Sequence, residues 1–193
     1  MTNLEGTQID GRRRRADQSR QRIAEAMLQL AREGEPAPSA ELVAERAGVG
    51  RRTVFRLFSD MEGLYREMHA IMVARIAPTF MAPLSGREWR ERLEEIIDRR
   101  ARMFEEMLPI KAASDAHRHR SVFLQREHKK ITRLQRETLL AMLPAALQKQ
   151  AERVEALDLA LSFEAWRRLR QEQRLAPKQA VGVVRRTVHA LLD

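Results

Sequence analysis

Val43-Ala44-Glu45-Arg46-Ala47-Gly48-Val49-Gly50-Arg51-Arg52-Thr53-Val54-Phe55-Arg56-Leu57-Phe58 is the stretch on which the reading of this sequence turns. A helix-turn-helix joins two short helices at a steep angle through three or four residues. The crossing calls for a small residue on the first helix, and the turn calls for one that tolerates positive φ. Ala44 meets the first demand and Gly48 the second, with Val49 plugging the space between. Ser39 is placed to cap the first of the two helices, which carries Leu42, Val43 and Ala44. The second runs from about Arg51 to Phe58, and Val54 and Phe58, four apart, point inward against Ile23 and Met27. Its outer face then carries Arg51, Arg52, Thr53 and Arg56. Arginines reach phosphates and guanine edges, and a threonine meets a phosphate or a thymine methyl. The bland alternative is a solvated basic face on an ordinary helical hairpin.

Outward from the motif, helical spacing continues to both ends. Ile23, Met27, Leu30 and Ala31 mark one face of a preceding helix, which Gly34 ends and which Pro36 and Pro38 keep from continuing. Residues 1–11 are polar and aperiodic, and Arg12-Arg13-Arg14-Arg15 follows, so residues 1–15 read as a disordered basic arm able to enter a minor groove. After the motif, Asp60 caps a helix striped by Leu64, Met68, Met72 and Ile76, closed by Pro78 and Pro83. A junction is placed there, giving residues 16–78 as a DNA-binding domain with its linking helix and 79–193 as a second helical domain. The second domain reads as a helix from Trp89 through Met103, Phe104 and Met107 to Pro109, another from Val122 to Met142, a third over about 151–174, and a last one behind Pro177. No period-two segment is long enough for a sheet, so the fold class is all-α.

Composition agrees with that class. The 193 residues are 44% hydrophobic and 33% charged, with 8 Gly and 7 Pro, too apolar for a disordered chain and too poor in turn residues for a many-stranded fold. Cysteine is absent, which excludes disulfides, thiolate metal sites and a cysteine nucleophile. The net charge of +9 favours an anionic partner. A lipid surface is disfavoured by a mean hydropathy of −0.50 and by the lack of any long uncharged window, so no membrane partner is expected and the compartment reads as cytoplasmic, at the nucleoid. His117, His119 and His128 invite a metal reading, but their spacing completes no site. No nucleophile elbow, phosphate loop or Glu-x-x-His pair is present, so neither an enzyme nor a cofactor is expected.

The quoted run, together with Glu62, Leu64 and Tyr65, resembles the TetR family of bacterial transcription regulators. The resemblance implies a helix-turn-helix behind one N-terminal helix, a linking helix, and a variable helical domain for effector binding and dimerisation. Gly50 stands where the family usually has a capping serine, Phe55 where it has a tyrosine that reaches a phosphate, Leu57 where histidine is common, and Met61 where lysine often touches the backbone. The residues expected at double-stranded DNA are Arg12, Arg13, Arg14, Arg15, Ser39, Gly50, Arg51, Arg52, Thr53, Phe55, Arg56 and Ser59. Met68, Met72, Trp89, Met103, Phe104, Met107 and Phe123 are candidates for a small-molecule effector pocket, with plain core packing as the alternative. Apolar residues run almost all round the helix from Ala151, so Leu157, Leu161, Val181, Val184, Val188 and Leu191 are candidates for a homodimer interface. The function implied is that of a repressor on a palindromic operator. An all-helical protein-interaction module and a nucleoid-type binder without sequence preference are the alternatives.

Overall fold

Helical periodicity becomes helix throughout the computed structural model, which describes residues 5–35, 38–58 and 61–193 and shows no strand among them. The elements are α1 (Glu5–Arg32), α2 (Ala40–Ala47), α3 (Arg51–Leu57), α4 (Met61–Met81), α5 (Trp89–Arg118), α6 (Val122–Met142), α7 (Ala145–Gln148), α8 (Ala151–Ala160), α9 (Phe163–Arg167) and α10 (Pro177–Leu192). The chain divides into two compact units: residues 1–75 with 109–125, and residues 76–108 with 126–193. This differs from a single junction after residue 78, because the segment 109–125 groups with the N-terminal part.

In the first unit α1 supplies the core stripe Ile23, Ala24, Met27, Leu28, Leu30 and Ala31, all buried. Val43, Ala44 and Ala47 of α2, Val54 and Leu57 of α3, Phe58, and Leu64, Tyr65 and Met68 of α4 are buried with it. Gly34, at φ 95°, terminates α1 as its position predicts. The start of α1 does not match the sequence reading. Residues 5–15 are helical rather than a disordered arm. Arg, Gln and Glu are good helix formers, no proline interrupts the segment, and the packed part of α1 provides a nucleus from which extension costs little. Phe123 ties the start of α6 to α4 within this unit. Its N–H donates to Glu62 Oε1 at 2.9 Å, Arg66 lies 4.9 Å over its ring, and His69 meets it edge-on at 5.3 Å.

The second unit is built on α5, with Leu93, Ile96, Ile97, Met103, Phe104 and Met107 buried. Two prolines behave differently from the reading above, since Pro78 and Pro109 lie inside α4 and α5 rather than ending them. A proline forfeits one backbone bond. Pro78 does so within the last turn of α4, and Pro109 does so where the division between the two units falls. The helix predicted over 151–174 is instead α8, α9 and a π turn, Arg168–Glu172. The break is made by Ser162, whose hydroxyl accepts from Ala165 N–H at 3.1 Å and so starts α9. The carbonyl freed at Leu161 accepts from Arg100 at 2.9 Å. Arg100 is 4% exposed, and burial pushes its guanidinium pKa down to about 10. The turn before α5 is held by Glu95, which accepts from Ser85 Oγ at 2.7 Å and from the Gly86 N–H at 2.5 Å.

Four of the six residues nominated for a homodimer interface, Leu157, Leu161, Val184 and Val188, are buried in the core of this unit within one chain. α8 and α10 pack on each other with these residues turned inward, which leaves Leu159 and Val183 as exposed large apolar residues of the two helices.

Candidate nucleic-acid interface

The reading head is built by its caps. Ser39, in extended conformation, accepts from Leu42 N–H at 3.2 Å and starts α2. Gly48 ends it at φ 61° and ψ 41°, with Gly48 N–H on Glu45 O at 3.1 Å and Val49 N–H on Ala44 O at 3.0 Å. That left-handed step is what a tight turn between two helices needs, and it strains any residue but glycine. α3 begins two residues beyond Val49, with Gly50 as an N-cap that offers no side-chain bond. The end of α1 is fixed to α2 by a fork: Arg46 Nη1 and Nη2 each reach a Glu33 oxygen at 2.7 Å. This pairing holds the Glu33 carboxyl below the usual carboxylate range and raises Arg46.

α3 sorts its side chains as its spacing predicts. Val54 and Leu57 are buried, Thr53 is half-buried, and Arg51, Arg52, Phe55 and Arg56 are exposed. Leu57, noted in the sequence only as standing where histidine is common, is buried and packs in the core. The three arginines are not equivalent. Arg51 is paired with Glu41 at 2.7 Å and lies 5.6 Å over the Phe55 ring. Arg52 and Arg56 have no ion pair among the described residues and stand ready for an anion. Glu41 is the residue that sequence reasoning missed. It lies ten positions before Arg51, a separation with no periodic signal, and only the crossing of α2 and α3 brings the two together. Phe55 is 54% exposed and has no hydroxyl for a phosphate, so its contribution is apolar.

Arg13, Arg14 and Arg15 are exposed on α1, and the Arg12 side chain lies outside the described residues. An α-helix is about 10–12 Å across, whereas the minor groove is about 6 Å wide. A helical arm therefore cannot enter that groove as an extended arm does. Ser39 and Gly50 are exposed at the helix starts, and Ser59 lies outside the described residues.

The seven effector candidates do not gather in one unit. Met68, Met72 and Phe123 belong to the first, and Trp89, Met103, Phe104 and Met107 to the second. Met68, Met72, Met103, Phe104 and Met107 are buried, as core residues are. Phe104 packs edge-on against Phe163 at 5.4 Å and lines, with Arg100 and Trp166, a cavity of about 10 Å³. That is room for about one water. Among the described residues no His, Asp and Glu group is placed to hold a metal, and no helix is long and apolar enough to cross a membrane.

With this geometry established, residues 23–68 match the model of the bacterial regulatory proteins of the tetR family. The head is a TetR-family DNA-binding domain. The match covers the core stripe of α1, the capped turn at Gly48, all of α3 and the start of α4. Over its length the chain is also similar in fold to a transcriptional regulator from Rhodococcus sp. Rha1, known from its crystal structure. The TM-score is 0.69 at 18% identity, covering 90% of this chain and 95% of that one. No curated protein matches the sequence. The family match is thus to the head, residues 23–68, and the likeness over the rest of the chain is one of fold.

Proposed function

We infer that the protein is a repressor that binds a palindromic operator as a homodimer and is released by a small-molecule effector. The observation that carries this reading is α3, which buries Val54 and Leu57 while presenting Arg52, Arg56 and a half-buried Thr53 from a TetR-type head. Base edges fall to Arg52 and, after exchange of Glu41 for DNA, to Arg51. An exposed ion pair is worth no more than about 1 kcal/mol, less than a good bidentate arginine–guanine contact at about 1–3 kcal/mol. Thr53 takes a thymine methyl or a phosphate. Arg56, Ser39 and the α1 arginines take the backbone.

Two-fold pairing follows from the same logic. One head buries too little surface on DNA for tight specific binding, and two related by symmetry read two half-sites about a helical turn apart or somewhat more. Leu159, 67% exposed on α8, and Val183, 41% exposed on α10, are the apolar side chains left for a partner subunit. This assignment replaces the four buried candidates and keeps the two helices first chosen for pairing. The working compartment is then the bacterial cytoplasm, at the nucleoid. Mobility shifts on the DNA flanking the gene test the reading. A shift that survives excess unrelated competitor supports a sequence-specific regulator. One that competitor removes equally supports a binder without sequence preference, and no shift at all supports a protein-interaction module.

A further inference from the structure

The second unit carries a surface groove of about 330 Å³ between α5, α9 and the start of α10. Ligand clefts begin at about this volume. Ala101, Trp166, Pro177 and Val181 give it apolar surface, and five charged side chains line it. Those charges are not balanced locally. Both acids of the lining are already taken: Asp98 accepts from Arg185 at 2.8 Å, and Glu105 accepts from Arg170 at 2.6 and 3.0 Å and from the Trp166 indole N–H at 2.8 Å. Arg185 is itself shared with Glu94 at 2.7 Å. The remaining two lining cations, Arg102 and Lys178, are exposed and engage no carboxylate among the described residues.

A second source of positive potential lies at the same place. Pro177 and Lys178 are the first residues of α10, a 16-residue helix. Pro177 has no N–H, but the first turn still carries the Lys178 and Gln179 N–H groups, which lack carbonyl partners four residues back within the helix, and a partial positive charge. The groove thus joins an apolar side to a cationic end, while its acidic groups are occupied. The Trp166 ring is held in place through its bond to Glu105, so the apolar side is already formed.

We propose that this groove binds a small amphipathic carboxylate, with the carboxylate at Arg102, Lys178 and the start of α10 and the apolar tail along Ala101, Trp166 and Val181. The proposal deepens the reading of the second unit as an effector-binding domain and rests on it. It also assigns the ligand to side chains other than the buried Met and Phe residues first considered, on a surface that needs no core rearrangement.

Calorimetric titration of the full-length protein, without DNA, with octanoate, octanol and octylamine tests the proposal. The expected result is octanoate binding at least tenfold tighter than octanol, with octylamine weakest. The double change Arg102→Glu and Lys178→Glu should lower octanoate affinity at least tenfold with an unchanged melting curve, since both residues are exposed. Val181→Trp, which fills the groove, should weaken octanoate and octanol together. Octanoate binding no tighter than octanol, or undiminished in the double variant, overturns the proposal. Operator binding by the same preparations, measured without ligand, is the separate readout. Intact operator binding with no carboxylate binding discards this site and leaves the regulator reading standing.

Discussion

Gly50 caps the recognition helix with φ −70° and ψ 145°, an ordinary conformation open to any residue. A Cβ built there comes no closer than 4.0 Å to its nearest neighbour, Thr53 Oγ1. Gly50→Ser should therefore supply the missing cap and restrict the unfolded chain, raising stability by about 0.5–1 kcal/mol. A higher denaturant midpoint at unchanged slope is the check. Gly48 is the opposite case: at φ 61° any side chain is strained, although nothing crowds it. This asymmetry was half legible. Gly48 could be assigned its turn from sequence, because two short helices in close succession require a left-handed residue. The inward Val54 and the outward Arg52 and Arg56 also followed from a spacing of four. The pairing of Arg51 with Glu41 did not, since it depends on the crossing of two helices rather than on the period of either.

At the scale of elements, the boundaries marked by caps were legible and the stops read at two of the prolines were not. Ser39, Gly34 and Pro177 fall where their chemistry puts them. Pro78 and Pro109 were read as stops, yet a long packed helix outlasts the loss of one backbone bond. Conversely, an unbroken apolar run hid the break at Ser162, because only the structure shows its hydroxyl bound to the next turn. The helical start of α1 changes what its arginines can do. Adjacent arginines on a helix point about 100° apart, so Arg13, Arg14 and Arg15 cannot all face DNA together. A chain beginning at Ala16 should bind operator and unrelated DNA more weakly by a similar factor. Its salt slope should also be shallower by less than about 3.6 per subunit, the limit if all four contacted phosphate. Binding isotherms at several salt concentrations measure both.

At the scale of the whole molecule, the all-α class and the head were legible because both rest on period and on one turn. The grouping of 109–125 with the head was not, since it depends on long-range contacts such as Phe123 to Glu62. Acid stability follows from carboxylates across the chain. Burial alone pushes the Glu94 carboxyl up, but hydrogen bonds from His189 and Arg185 outweigh it and hold it below the usual range. Glu95 is lowered by the backbone and hydroxyl of Ser85. A carboxylate lowered in the folded state adds stability above its unfolded pKa, and this is lost as pH falls through the folded value. The melting temperature should therefore hold steady from neutral pH to about 5 and fall below that. Glu94→Gln should start lower at neutral pH and fall less steeply. The proposed pairing uses the exposed Leu159 and Val183, so Val183→Arg should give monomer mass by light scattering where the parent protein gives dimer, with the fold retained. The most direct test of the central claim, that α3 reads DNA sequence, is fluorescence anisotropy on the footprinted operator against scrambled DNA. With about four phosphates neutralised per subunit, log affinity should fall against log salt with a slope near −7. Arg52→Ala should cost about 1–3 kcal/mol per half-site on the operator and relax one position of each half-site, with little change on scrambled DNA. Equal affinity for operator and scrambled DNA, or a preference untouched by Arg51→Ala and Arg52→Ala together, would contradict it.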